Sequence, residues 1–395
     1  MRKVVLALLF SGLFLLPASG ANRDFRPLER KAEELRGLRF TRPVPILVVD
    51  GAGMRKVLAD QIRKEYPDGE WPAMEKTLKA FSMIPPKMNL RAVMNGLLEE
   101  QVVGLYDPYE KKLFVTNAPM ADSNLLSGLG MEGFQIGDVY ILHEMVHALT
   151  DQRFDLLSLP IQDKENEDRA SAARCVVEGD ATWVMMRYLY DAMKVPAESR
   201  GQLDDVMFGM NMGRELMGSS IPAYLQENLL VAYLAGQALV KMAYERGGFE
   251  GVDRLYKNPP QSMEQVLHPE KYFSGSDRPV GIRLLPPKAF GALGWKELGS
   301  GVWGEFNTRI ILQEWGIPEE QARKASEGWG GDAYRVFEGP KGELAFAWAT
   351  VWDTDSDAAG FAGACAQAKG VSVVKDGKRV MLTKGAPSAV AKKAA

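Results

Sequence analysis

The amino-acid sequence predicts an α+β protein with a mostly helical core, a small sheet or edge hairpin, and a small α+β domain at the C-terminal end. Three observations support this fold class. Long segments in the middle of the chain carry apolar residues at helical spacing. Residues 101–106 and 112–116, around the turn at Asp107-Pro108, are typical of a β-hairpin. Beyond Pro286, short helix and strand patterns alternate.

The first 21 residues are typical of a secretory signal peptide. Arg2 and Lys3 precede an apolar run over residues 4–16, and small residues follow up to Ala21. The apolar run is too short to span a bilayer comfortably. We therefore expect residues 1–21 to be removed and the chain to be exported to the periplasm or beyond the cell, without stable membrane insertion.

The composition is that of an ordinary globular protein. The 395 residues are 46% hydrophobic and 25% charged, with a net charge of −3 and two cysteines. The absence of a basic stripe with interleaved aromatic residues argues against a nucleic-acid partner. With only Cys175 and Cys365, stability must come from the core rather than from a disulfide framework.

The element patterns predict a main domain over residues 22–275 and a C-terminal domain over residues 286–388. The main domain is divided into an N-terminal αβ part, residues 22–120, and a helical part, residues 121–275.

In the N-terminal part, a charged helix should precede a β-strand over residues 43–49. Gly51 and Gly53 then suggest a nucleotide-binding loop, but Lys56 stands where the third glycine belongs. We expect a strand-to-helix turn there. The hairpin that follows could supply an edge strand to which an extended peptide adds; an ordinary sheet edge is an equally open interpretation.

In the C-terminal domain, the patterns predict two helices, two strands, a third helix and a final hairpin. Their expected ranges are 306–315, 319–325, 333–337, 344–352, 357–369, 371–374 and 379–382.

The strongest motif is a pair of histidines, His143 and His147, with Glu144 directly after the first. Four residues make about one helical turn, so both imidazoles leave the same face of a helix. Glu144 would lie beside them, near a metal-bound water but badly angled to be a ligand. The chain has only three histidines. The pattern predicts a helix-borne zinc site; a chance match on an ordinary helix is the alternative.

Catalytic zinc usually takes three protein ligands, so a third ligand should come from a later element. Glu178 is the best candidate, on a helix expected from about residue 167 to 193. Helical angles surround it with small residues and turn Asp180 to the opposite face. Cys175 shares the face of Glu178 and is a rival, although we expect it in the core. Asp151 is a second rival. It is better placed as an outer partner of His147, that is, a residue that contacts the imidazole without binding the metal.

The motif His143-Glu-Met-Val-His147 with a downstream helical Glu178 resembles the gluzincins, the thermolysin-like clan of zinc metallopeptidases. Two further strings, Glu178-Gly-Asp-Ala-Thr182 and Gln265-Val-Leu-His-Pro-Glu-Lys-Tyr272, resemble a little-characterised group of exported prokaryotic proteins in that clan. The resemblance spans roughly residues 39–272 and implies a zincin-like fold. One departure is Thr182, where thermolysin-like enzymes carry an aspartate. This leaves three aspartates as possible outer partners of the first histidine: Asp151, Asp168 and Asp180.

The resemblance implies a zinc-dependent hydrolysis of peptide bonds in a peptide or protein substrate. Glu144 would be the general base, and a Tyr or His would stabilise the oxyanion. His268 is the candidate for that role, with Tyr233 and Tyr272 as alternates. The competing hypothesis is a catalytically inactive zinc-binding scaffold or protein-interaction module of the same fold.

Overall fold

The computed structural model describes residues 23–97, 102–116, 136–201, 221–284 and 288–386. Across these ranges the protein is α+β, mostly helical with two small sheets, and the predicted fold class is confirmed. The predicted signal peptide and the predicted domain limits at residues 120, 286 and 388 lie outside these ranges. Among the described residues, no helix combines the length and the apolar character needed to cross a bilayer.

The N-terminal part builds a three-stranded sheet with helices around it. Its elements are α1 (Arg26–Arg36), β1 (Ile46–Val49), α2 (Gly51–Glu65), α3 (Trp71–Ala80), α4 (Leu90–Leu97), β2 (Gly104–Asp107) and β3 (Lys112–Thr116). The strand order is β1-β3-β2, with β1 parallel and β2 antiparallel to β3. The Asp50 side chain accepts a hydrogen bond from Gly53 N at 2.7 Å, so the predicted strand-to-helix turn is confirmed as a capped helix start.

Three long helices form the middle of the protein. They are α5 (Ile136–Phe154), α6 (Glu167–Ala192) and α7 (Ala223–Lys257), which is kinked at Gly247 and Gly248. The backbones of α6 and α7 touch, because a Cβ added to Gly179 would lie 2.2 Å from the Gly236 carbonyl carbon. A Cβ on Gly236 would likewise lie 2.2 Å from Cys175 O. The glycines therefore permit a closer approach than any side chain would allow.

A five-stranded antiparallel sheet dominates the C-terminal part. The elements are α8 (Met263–Leu267), α9 (Pro269–Ser274), α10 (Lys288–Ala292), β4 (Lys296–Gly301), α11 (Gly304–Glu314), α12 (Glu319–Ser326), β5 (Trp329–Glu338), β6 (Leu344–Trp352), α13 (Asp355–Cys365), β7 (Val371–Asp376) and β8 (Arg379–Lys384). The strand order is β4-β5-β6-β8-β7. All predicted C-terminal elements are present. β4 was not predicted, because two of its six residues are glycine and it lacks apolar alternation.

One hydrophobic core runs through both predicted domains. Phe81, after α3, is fully buried and stacks on Phe346 of β6 with ring centroids 4.1 Å apart. Its edge contacts include the rings of Trp303 and Tyr334, each at 5.2 Å. Trp315 Nε1 donates a hydrogen bond to Phe81 O at 2.9 Å. The C-terminal sheet is therefore packed directly onto the N-terminal helices.

Replacing Phe81 with alanine should lower the free energy of unfolding by about 3–5 kcal/mol, because it empties the centre of this aromatic cluster. Urea denaturation of the purified protein measures the change. Leu47→Ala, at a side chain that is 41% exposed, is the control and should cost no more than about 0.5 kcal/mol. Equal effects of the two substitutions would show that the two parts do not depend on a shared core.

Candidate metal centre

The two motif histidines lie on one buried face of α5. Residues 136–154 form a continuous helix, as the motif requires, and His143 and His147 are 2% and 3% exposed. Their Nε2 atoms are 3.0 Å apart. The imidazoles thus point at a common position, in agreement with the spacing argument.

Glu178 reaches the same position from α6. Its Oε2 atom lies 3.2 Å from His143 Nε2 and 3.4 Å from His147 Nε2. The carboxylate is 2% exposed. The three side chains predicted as ligands therefore converge in the structure, although they come from two helices separated by a loop.

The donor set and its spacing fit a tetrahedral metal ion. Zinc binds histidine nitrogen and carboxylate oxygen at about 2.0–2.1 Å, so two ligand atoms at a tetrahedral centre lie about 3.3–3.4 Å apart. The three separations found here are 3.0, 3.2 and 3.4 Å. Three protein ligands would leave one tetrahedral position open, which distinguishes a catalytic from a structural zinc site.

The electrostatics of the cluster call for a positive charge between these groups. Burial alone would raise the pKa of Glu178, but the imidazoles of His147 and His143 outweigh burial and lower it. Burial alone would lower the pKa of His147, but the Glu178 carboxylate outweighs burial and raises it. The buried carboxylate therefore attracts either a proton on an imidazole or a cation bound by all three groups.

Asp151 forms no hydrogen bond with the Nδ1 atom of either motif histidine in the described part of the chain. Its prediction as the outer partner of His147 is therefore wrong. Its Oδ2 accepts from Tyr106 OH at 2.6 Å, and its Oδ1 accepts from Lys111 Nζ at 2.8 Å. Oδ1 also accepts from Leu156 N at 2.9 Å. One turn beyond His147, the carboxylate faces the β2–β3 hairpin, so it joins that hairpin to α5.

The other two candidate outer partners are also engaged elsewhere. Asp180 Oδ2 accepts from Arg36 Nε at 2.7 Å and from Tyr256 OH at 2.9 Å, and Asp168 Oδ1 accepts from Met263 N at 3.1 Å. The Nδ1 atoms of both histidines are buried and have no hydrogen-bond partner among the described residues.

The rival ligand Cys175 is a core residue, as expected. It is fully buried, and its Sγ lies 3.7 Å from Met263 Sδ. Burial raises the pKa of its thiol to about 12. Cys175 and Cys365 are both free thiols.

Glu144 lies against the outer edge of β2. Its Oε2 accepts a hydrogen bond from Tyr106 N at 2.7 Å. In an antiparallel pair, every second residue of a strand forms backbone hydrogen bonds with the partner strand. Val103 O accepts such a bond from Thr116 N of β3. The backbone groups of Gly104 and Tyr106, one and three residues later, are therefore turned away from β3. Among the described strands, β2 is therefore an edge strand whose outward face meets Glu144. No sequence pattern indicated Tyr106, because its contact with Glu144 is made through the backbone.

His268, predicted as the oxyanion donor, is paired with a carboxylate on another element. Its Nε2 lies 2.9 Å from Glu305 Oε1 of α11, and no hydrogen bond among the described residues joins it to the histidine pair. Tyr272 OH donates to Asn258 O at 2.7 Å. The remaining alternate, Tyr233 of α7, stacks beside His143 with ring centroids 6.0 Å apart. Of the three candidates, Tyr233 is the one that contacts the cluster.

Comparison with known proteins places a family only on the C-terminal part. A family model described as "Domain of unknown function (DUF8575)" matches residues 292–392, a range that contains none of the three converging side chains. No curated protein and no solved structure is similar enough to the chain to count as a match.

The His268–Glu305 pair should make stability depend on pH. The hydrogen bond with Glu305 raises the pKa of His268, which also faces Lys271 and Glu264. The stabilisation is fully present below the unfolded-state pKa of about 6.5 and is lost as pH rises through the higher folded-state pKa. His268→Gln should therefore cost about 1 kcal/mol near pH 6, since the pair is partly exposed to solvent, and less near pH 9.

Urea denaturation at both pH values, with Glu305→Gln and the double variant, measures this coupling. A gap between wild type and His268→Gln that does not change with pH would show that the pair is not the cause.

Proposed function

We propose that this protein is an exported zinc-dependent metallopeptidase, related to the gluzincins. The observation that carries the proposal is the convergence of two imidazole nitrogens and one carboxylate oxygen, each 3.0–3.4 Å from the others, beside the carboxylate of Glu144. Export is supported by the signal-peptide pattern of residues 1–21.

Zinc bound by His143, His147 and Glu178 would act as a Lewis acid that polarises a peptide carbonyl and acidifies water. The residues of the chain supply the remaining functions. Tyr106 N holds Oε2 of Glu144, which leaves Oε1 as the atom that takes a proton from the attacking water. The same oxygen then delivers that proton to the leaving amine.

Tyr106, on the outward edge of β2, faces Glu144, so a substrate lying along this strand would pass the proposed general base. A Cβ added at Gly104 would lie 3.4 Å from Glu144 Cγ, so the strand passes within van der Waals range of the Glu144 side chain. Tyr233, whose ring stacks beside His143, is the candidate to donate a hydrogen bond from its hydroxyl to the developing oxyanion.

Zinc binding should depend on the three converging residues and not on the remaining histidine. His143→Ala, His147→Ala and Glu178→Gln should each lose most of the one equivalent of zinc that the wild type retains after dialysis. Elemental analysis of the purified proteins measures the content. His268→Ala is the matched control and should keep its zinc.

Wild-type protein that stays metal-free in excess zinc would contradict the proposed metal centre. Loss of zinc from His268→Ala alone would place the metal elsewhere.

Glu144→Gln should keep zinc and lose turnover by a factor of about 10²–10⁴, because the amide cannot accept a proton. Cleavage of a fluorogenic peptide mixture, with and without chelator, measures the rate. Glu245→Gln, at an exposed position on α7, should behave as wild type. If the zinc-loaded wild type cleaves no peptide, or if chelator does not inhibit the cleavage, the inactive scaffold becomes the better interpretation.

A further inference from the structure

A second concave site lies away from the metal centre, at the far end of α7. An open cavity of about 520 Å³ is bordered by the last turns of α7, the turn at residues 258–261 and the helices α8 and α9. Arg246 lines it, thirteen residues after Tyr233 on the same helix, which corresponds to about 20 Å along the axis. The cavity is therefore separate from the histidine cluster.

The charged side chains that line this cavity are all arginines. Arg246, Arg254 and Arg278 line it, and its lining residues include neither aspartate nor glutamate. None of the three forms an ion pair with a carboxylate of the described part of the chain, and all three are exposed. In a protein of net charge −3, three guanidinium groups around one space favour the binding of an anion between them.

One of the guanidinium groups is positioned without a ligand. That of Arg246 lies over the Phe273 ring, 4.4 Å from its centroid. That of Arg254 lies close to Gly247, where an added Cβ would come within 2.4 Å of its Nη2 atom. A positioned guanidinium group loses less freedom when it binds an anion, so Arg246 is pre-organised for binding.

The walls of the cavity are fixed by hydrogen bonds of their own. Tyr272 OH donates to Asn258 O at 2.7 Å. Gln265 Nε2 donates to Asp277 O at 2.6 Å, and Gln265 Oε1 accepts from Gln261 N at 2.8 Å. Gln265 and Tyr272 both belong to the string Gln265–Tyr272, to which the proposed peptidase mechanism gives no role.

We propose that this cavity binds the phosphate monoester group of a small organic ligand or of a lipid headgroup. Guanidinium groups match the oxygens of phosphate in pairs, and a dianion balances more than one of them. The volume lies within the usual range of small-molecule sites, about 300–1,000 Å³, and exceeds the need of a bare phosphate. The organic part would lie against Pro259, which belongs to the apolar lining of the cavity.

Isothermal titration of the full-length mature protein with phenyl phosphate, at ionic strength matched with chloride, tests the proposal. The wild type should bind one equivalent. Arg254→Gln and Arg278→Gln should each weaken binding by about tenfold or more, since each removes charge-assisted hydrogen bonds. Arg55→Gln is the control, because Arg55 is exposed on α2, and it should bind as the wild type does.

Two further experiments test whether the phosphate belongs to a lipid headgroup and whether it binds in this cavity or at the metal centre. Vesicles of phosphatidic acid in phosphatidylcholine, compared with pure phosphatidylcholine, test a lipid source with the same variants. His143→Ala/His147→Ala should bind phenyl phosphate unchanged, which separates this site from the metal centre whether or not the peptidase proposal holds.

The proposal is overturned if neither probe binds saturably, or if Arg254→Gln and Arg278→Gln bind as tightly as Arg55→Gln. Binding that disappears only in the histidine double variant would also overturn it, because the phosphate would then occupy the metal centre.

Discussion

A buried carboxylate between two buried imidazoles is the constraint on which the rest of the helical core depends. An ionised Glu178 that is 2% exposed has lost nearly all of its hydration, and such a loss costs several kcal/mol unless an opposite charge compensates it. Either a proton on an imidazole or, in the proposed metal site, a bound cation can supply that charge. The surrounding helices fix how far apart the three side-chain atoms lie.

The close approach of α6 and α7 is what brings this carboxylate into a closed environment. Gly179, next to Glu178, lies against Gly236 with no room for a side chain on either residue. Two other acids of α6 are compensated by arginines, since Asp180 is paired with Arg36 and Glu167 with Arg174. In the described part of the chain, Glu178 differs from these two residues because only histidines face it.

The sequence allowed the residues that share a helix face in this site to be predicted. It did not reveal which side chains from distant elements contact them. His143, His147 and Glu178 were found because helical periodicity fixes which side chains share a face, and the structure repeats that periodicity. Asp151 was misassigned for the opposite reason. Its face was known, but its partner Tyr106 comes from an element 45 residues away. The pairing of His268 with Glu305, 37 residues away, was hidden for the same reason, and the role of His268 stays a prediction. β4 escaped prediction because its pairing with β5, rather than its own side chains, makes it a strand.

The position of Glu144 depends both on local helix geometry and on a contact with a distant strand. Helix geometry guarantees that this residue lies beside His143, but it does not decide where the carboxylate points. That direction comes from Tyr106 N on the outward edge of β2, and Asp151 holds β2 in place through the hydroxyl of the same tyrosine. One residue of the hairpin thus contacts α5 twice, once through its backbone and once through its side chain. A histidine–glutamate motif on an isolated helix would lack this contact, so the hairpin is as much a part of the site as the motif itself.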